Sequence, residues 1–162
     1  TSMIVRAEHI SHILDELPDK FHQLLDDLLA FVDKADPQNR AFQQSTTKEL
    51  RFLLAYHLCK NTLLVTRDWE GGVTGVVTWY QMESPWTSQQ LQRWRPDDAD
   101  GGEIIISHMV AFNADARAAL MEGLSSRIER FREKSIVALR RDKVVRFGHR
   151  GFNRFKNMNS RK

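Results

Sequence analysis

The chain's 162 residues, 41% hydrophobic and 28% charged, have the size and composition of one globular domain able to bury a core, which excludes a repeat array, a large multidomain enzyme and wholesale disorder. The formal net charge of +3 hides an asymmetry: between Arg140 and Lys162 nine basic residues face one acid, Asp142, a local +8 that leaves −5 for the rest. Such a basic end suits an acidic partner, whether a protein, a nucleic acid or an anionic surface. No apolar stretch reaches the roughly 18–20 residues of a membrane helix, and the N-terminus lacks the basic, apolar and small-residue order of a secretory signal. A cytoplasmic protein without a membrane span is expected. Cys59, the single cysteine, has no partner for an intrachain disulfide or a cysteine zinc site and is expected as a small core residue.

Ile10, Ile13, Leu14 and Leu17 form one apolar stripe, and Leu24, Leu25, Leu28, Leu29 and Val32 a second, with Pro18 placed to open the second helix. Asp36, Pro37, Gln38 and Asn39 interrupt the pattern, so the stretch from Lys34 to Thr47 reads as a loop. Thr46 with Glu49 fits a capping box for a third helix buried through Leu50, Leu53, Leu54 and Leu58. Thr62–Thr66 and Val73–Trp79 are β-branched runs joined by the turn residues Asp68 to Gly72, which predicts a hairpin. Gln81 to Gly102, with two prolines and an acidic cluster, is expected as a long connection with one helical turn around Leu91. A central strand, Ile104–Phe112, then leads into a helix over Ala114–Phe131, followed by strands Ser135–Leu139 and Lys143–Phe147. Residues 1–152 are expected as a single domain, with N-terminal helices over 1–33 and a core over 46–152, and 153–162 as a flexible basic tail.

This order of helices, hairpin, central strand, long helix and two strands is similar to the GNAT acyltransferase fold, so the expected class is α+β: a mostly antiparallel sheet flanked by helices, with an N-terminal helical segment. Most such enzymes carry a glycine loop at the start of the long helix to admit a pyrophosphate, whereas here the junction runs Ala111-Phe112-Asn113-Ala114-Asp115-Ala116-Arg117 without glycine. One branch dispenses with that loop: the RTX toxin-activating lysine acyltransferases, which take a fatty acyl chain from acyl carrier protein. This sequence resembles them over roughly Leu50 to Gly151. The matching points are Leu63 to Asp68, the strand ending in Trp79, Trp86-Thr87-Ser88, Ala111 to Asp115, Phe131, Ala138 to Arg140, and Phe147 to Gly151.

The resemblance implies a catalytic histidine near Ala41 or Phe42 and an aspartate near Ser107, and neither is retained. An acceptor ammonium must lose its proton before it attacks a thioester, so a base working near neutral pH is required. The catalytic candidates are therefore Ser107, its neighbour His108, and His57. Regular alternation places His108 on the opposite face from Ser107, with Ile104, Ile106 and Val110; only a bulge brings the two together. His57 follows the leucine face of its helix, either capping carbonyls at the helix end or acting as a replacement base. Trp79, Trp86, Met109, Phe112 and Asn113 are the candidate walls of an acyl or donor site, with the unpaired N–H groups of the following helix as oxyanion donors. Arg140, Arg141, Arg146, His149, Arg150 and Arg154 are candidate docking residues, His149 lying in a loop between glycines.

Two functional readings follow. The first is transfer of a fatty acyl group from the 4'-phosphopantetheine thioester of acyl carrier protein to a lysine or other amine of a protein substrate, with no bound cofactor or metal. The second is a non-catalytic member of the fold that binds an acidic protein or nucleic acid through its basic C-terminus. Phe147, Phe152 and Phe155, interleaved with Arg146, Arg150, Arg154 and Lys156, suit phosphate contacts and base stacking but no base reading, so nucleic-acid binding is expected to be weak, salt-sensitive and sequence-indifferent at most. A homodimer is compatible with either reading. His9, His12 and Glu16 read as solvated surface, since a zinc site needs a second spaced pair of ligands.

Overall fold

The computed structural model describes residues 17–36, 46–83, 86, 101–140 and 143–157. Helix α1 (Asp19–Ala35) and helix α2 (Thr47–Lys60) precede a hairpin of β1 (Leu63–Arg67) and β2 (Val73–Met82). Strand β3 (Glu103–Ala111) enters helix α3 (Ala114–Arg127), a short 3-10 turn (Phe131–Glu133) follows, and β4 (Ser135–Arg140), β5 (Lys143–Phe147) and helix α4 (His149–Asn157) complete the order. The five strands lie side by side in chain order, all antiparallel except β3 against β4, the pair that α3 connects. The mixed α+β sheet flanked by helices is the expected class. Among the described residues no helix is long and apolar enough to cross a membrane.

Local chemistry sets the joints. Thr46 Oγ1 accepts the Glu49 N–H at 3.2 Å and starts α2, as its capping pattern predicts. Asn61, at φ 63°, ends that helix in the left-handed conformation that asparagine tolerates, and the Thr62 N–H closes on the His57 carbonyl at 2.9 Å. Asp68 Oδ1 accepts the N–H groups of Glu70 (3.0 Å) and Gly72 (2.8 Å), which winds the β1–β2 turn tightly enough that Gly71 takes φ +89°.

Each face of the sheet has its own core. Helices α1 and α2 bury Leu25, Leu28, Leu50 and Leu54 against Val76, Tyr80, Ile105 and Val137. Helix α3 buries Leu120, Met121 and Leu124 against Val77, Trp79, Ile104, Ile106 and Ile136, joined by Phe131 and Phe152. Leu53 and Leu58 contribute to the first core from partly buried positions.

Four expectations change. Helix α3 ends at Arg127, because the chain turns through Arg130 at φ 53° to drop Phe131 into the core. His149 opens a helix instead of lying in a loop, and residues 153–157, expected to fray, continue it. That helix has an anchor: Phe152 is buried with its ring 5.1 Å from that of Phe131. Cys59 is exposed, because α2 turns its buried side through Leu50, Leu54 and His57 and leaves position 59 outward. Residues 1–16, including the first apolar stripe up to Leu14 and the His9–His12 pair, lie outside the described residues, as does the helical turn expected near Leu91.

A Cβ added to Gly101 would lie 2.6 Å from the Met82 carbonyl carbon and 2.8 Å from its nitrogen, so backbone must move to admit it. Gly101→Ala is expected to cost about 2–3 kcal/mol in denaturant unfolding, the scale of overpacking. Gly148→Ala, where an added Cβ meets nothing within 4 Å, is the control and should change stability by no more than about 0.5 kcal/mol.

Candidate active site

The alternation of β2 is regular: Val76 and Tyr80 face α1 and α2, Val77 and Trp79 face α3, and Thr78 therefore faces α1 and α2. Strand β3 slips once. Ile104 and Ile106 face α3 and Ile105 the other side, yet farther on Met109 and Ala111 face α3 and Val110 the other side. The register shows where: Val77 pairs with Met109, Thr78 with His108, and Trp79 with Ile106, leaving Ser107 as an extra residue. This is a β-bulge, and it overturns the expectation that His108 sits across the sheet from Ser107. Both now lie on the α1/α2 face, beside Thr78. The Thr78 and Ser107 hydroxyl oxygens are 2.8 Å apart, and Ser107 also donates to the Thr78 carbonyl at 3.3 Å.

A second feature coincides with the bulge. The parallel pairing of β3 with β4 runs from Glu103 and Ser135 only to Ile106 and Ala138, although β3 continues to Ala111 and β4 to Arg140. The two strands thus stop pairing at the residue before the bulge, next to Ser107 and His108.

His57 joins this face from α2. It is fully buried, its Nδ1 lies 2.7 Å from Thr62 Oγ1, and its ring meets those of Tyr80 at 4.8 Å and Tyr56 at 5.3 Å. Burial above all, then the Lys60 ammonium and His108, holds its pKa well below the usual histidine value, against a smaller opposing effect of the Thr62 backbone. Its Nε2 is buried with no hydrogen-bond partner among the described residues. Lys60 is kept nearby by donating to the Tyr56 hydroxyl at 3.0 Å and by lying over the rings of Tyr56 and Tyr80. The resulting cluster contains His57, Thr62, Thr78, Ser107 and His108. His108 is half-buried and His57 fully buried, so of the two imidazoles His108 is the more accessible.

The candidate walls do not form one cleft. Trp79 and Met109 belong to the α3-side core, while Trp86 packs on the α1/α2 side and donates its indole N–H to Glu103. Phe112 is 61% exposed, with the Lys34 ammonium 5.9 Å from its ring centre. Asn113 caps α3: its Oδ1 accepts the Ala116 N–H at 2.8 Å, so that donor is already engaged. Asn113→Ala is expected to lower stability by about 1 kcal/mol in thermal unfolding, whatever its effect on activity.

The basic residues separate as well. Arg146 donates to the buried carboxylate of Glu103 at 2.5 Å, and His149 Nε2 donates to the Lys134 carbonyl at 3.0 Å, so both act within the fold. Arg150 and Arg154 are exposed one helical turn apart on α4. Arg141 lies outside the described residues, as do Ala41 and Phe42, and Arg140 is described by its backbone as the last residue of β4. Burial of Phe152 removes it from the proposed base-stacking set.

Two solved structures share this architecture. The GphF GNAT-like decarboxylase in complex with isobutyryl-CoA matches with a TM-score of 0.51 at 15% identity, over 85% of this chain and 64% of that one. The fold is GNAT-like. The loading GNATL domain of CurA from Lyngbya majuscula matches with a TM-score of 0.51 at 13% identity, over 86% of this chain and 63% of that one. The chain thus spans just under two thirds of the length of each. No family model matches the sequence, and no curated protein matches it. Within the GNAT-like sheet, the bulge and the parting of strands fall together at Ser107. Ser107, His108 and His57 are among the sequence candidates and Thr78 and Thr62 are not; the one sequence signal of the latter pair is a hydroxyl within (Thr78) or just before (Thr62) an apolar strand.

Proposed function

We propose that the protein is an acyl-thioester enzyme that transfers a fatty acyl group from the phosphopantetheine of acyl carrier protein to a lysine or other amine of a protein substrate. The observation that carries this reading is the β3 bulge, which gathers two hydroxyls and a half-buried imidazole where β3 and β4 stop pairing. His108 takes the proton from the acceptor ammonium, the freed amine attacks the thioester carbonyl carbon, and the carbonyl electrons move to oxygen. The Thr78 and Ser107 hydroxyls, buried and bonded to each other in the free protein, turn toward that oxygen as it forms and act as its donors together with the backbone loosened by the bulge. Collapse expels the pantetheine thiolate, which takes up a proton. Exposed Arg150 and Arg154 favour approach of an acidic carrier, with a rate that falls as salt rises. Of the two structural matches, one is a complex with isobutyryl-CoA and the other a loading domain, which supports acyl-thioester chemistry on this fold.

A second reading draws on the first match being a decarboxylase. The cluster of hydroxyls and imidazoles, with no carboxylate in it among the described residues, suits loss of CO2 from a malonyl-type thioester: the C–C electron pair becomes an enolate held by Thr78 and Ser107, and an imidazolium at His108 protonates the carbon. One experiment addresses both. The protein is incubated with acyl or malonyl carrier protein and with the corresponding CoA thioesters, in the presence of candidate protein acceptors, and products are read by mass spectrometry. A gain of one acyl mass on an acceptor supports transfer; conversion of malonyl to acetyl thioester supports decarboxylation. No product and no thioester binding would overturn both and leave the fold as a binding module.

A further inference from the structure

On the α1 side of the molecule, beyond the end of β3, a groove of ≈ 480 Å³ lies between the C-terminal half of α1, the β1–β2 turn and Phe112. That volume is within the roughly 300–1,000 Å³ of small-ligand pockets. Phe112 lies five residues past Ser107, about 16 Å at strand rise, so the groove is separate from the bulge. We propose that it binds a short peptide with apolar side chains and free termini.

One wall carries Asp27 and Lys34, the other Arg67 and Glu70, two charges of each sign, and none of them forms an ion pair with another described residue. Asp27 instead accepts from Gln23, Arg67 donates to the Gly71 carbonyl at 2.7 Å, and Lys34 lies over the Phe112 ring. A groove that presents both signs, unpaired among the described residues, fits a ligand that also carries both. Spacing then sets its length. Asp27 and Lys34 are seven residues apart on one helix, about 10 Å along the axis, which exceeds the reach between the ammonium and carboxylate of a single α-amino acid and matches a di- or tripeptide. Between those two charges the helix offers Ala30 and Phe31, and Val73 and Phe112 close the apolar floor. A large aromatic ring left 61% exposed at the end of a core strand is stabilised once an apolar side chain covers it. A nucleotide or other polyanion is disfavoured by Asp27 and Glu70.

The test is an amide NMR titration of the full chain with alanyl-leucine and alanyl-leucyl-alanine, each compared with its N-acetylated and C-amidated forms. Saturable shifts are expected at Gly71, Gly72 and Phe112, and blocking either end should weaken binding about tenfold. Lys34→Gln with Arg67→Gln should erase the advantage of the free carboxylate, and Asp27→Asn with Glu70→Gln that of the free amine. Should a variant change the spectrum globally, the comparison of free and blocked peptides on the unaltered protein decides the matter alone. Shifts that do not saturate at millimolar peptide, equal binding of blocked and free forms, or shifts centred on Ser107 and His108 would each overturn the proposal.

Discussion

Replacing His108 with alanine is expected to reduce acyl transfer by about 100-fold or more while leaving the unfolding temperature nearly unchanged. The size is that of a positioned general base, for which losses of roughly 10²–10⁴ are usual. The small structural cost follows from exposure, since His108 is half-buried and holds no core position. Ser107→Ala and Thr78→Val probe the oxyanion donors, and each should cost about tenfold or more in kcat with little change in KM, because a donor aimed at developing charge acts in the transition state alone. Single-turnover transfer with labelled acyl carrier protein measures all three. His108→Ala with full activity would remove the proposed base, and a loss confined to KM would recast it as a binding residue.

The second large effect is on stability against acid. His57 is buried neutral, with its folded pKa below the usual value near 6.5, so below that pH the unfolded chain binds a proton that the folded chain refuses. Stability contributed by the neutral ring is complete above about pH 6.5 and falls as pH drops through the interval down to the folded pKa, with a slope of up to about 1.4 kcal/mol per pH unit. Urea unfolding at several pH values between 7.5 and 5 should show this decline. His57→Gln should lower stability at pH 7.5, through loss of the Thr62 contact and the packing on Tyr80, yet flatten the pH dependence. An unchanged slope in that variant would assign the acid sensitivity to other groups.

The α2-side arrangement was largely legible in advance. Apolar spacing marked Leu50 and Leu54 as the buried face of α2, and Thr46 with Glu49 marked its start, because both signals are local and repeat with the helix period. The hairpin was equally plain, since Asp68 and the paired glycines have turn chemistry that needs no distant partner. His149 shows the opposite. Two flanking glycines read as a loop, but Phe152, four residues beyond Gly148, gains a buried position against Phe131 that outweighs the weak helix propensity of the segment.

The same division holds for the site. Residue identity by itself placed Ser107, His108 and His57 among the few side chains able to handle a proton or an oxyanion, and it fixed the absence of glycine from the β3–α3 junction. It determined the two helical faces, the hairpin and the strand–helix–strand order of a GNAT-like sheet. What only the tertiary structure decided is which of those side chains share a face. A bulge adds one residue to β3 against β2, and its position depends on how Trp79 and Ile106 pack on α3 while Tyr80 and Ile105 pack on α1 and α2. That balance is set by contacts between residues some 30 positions apart, and no local periodicity in the strand encodes it.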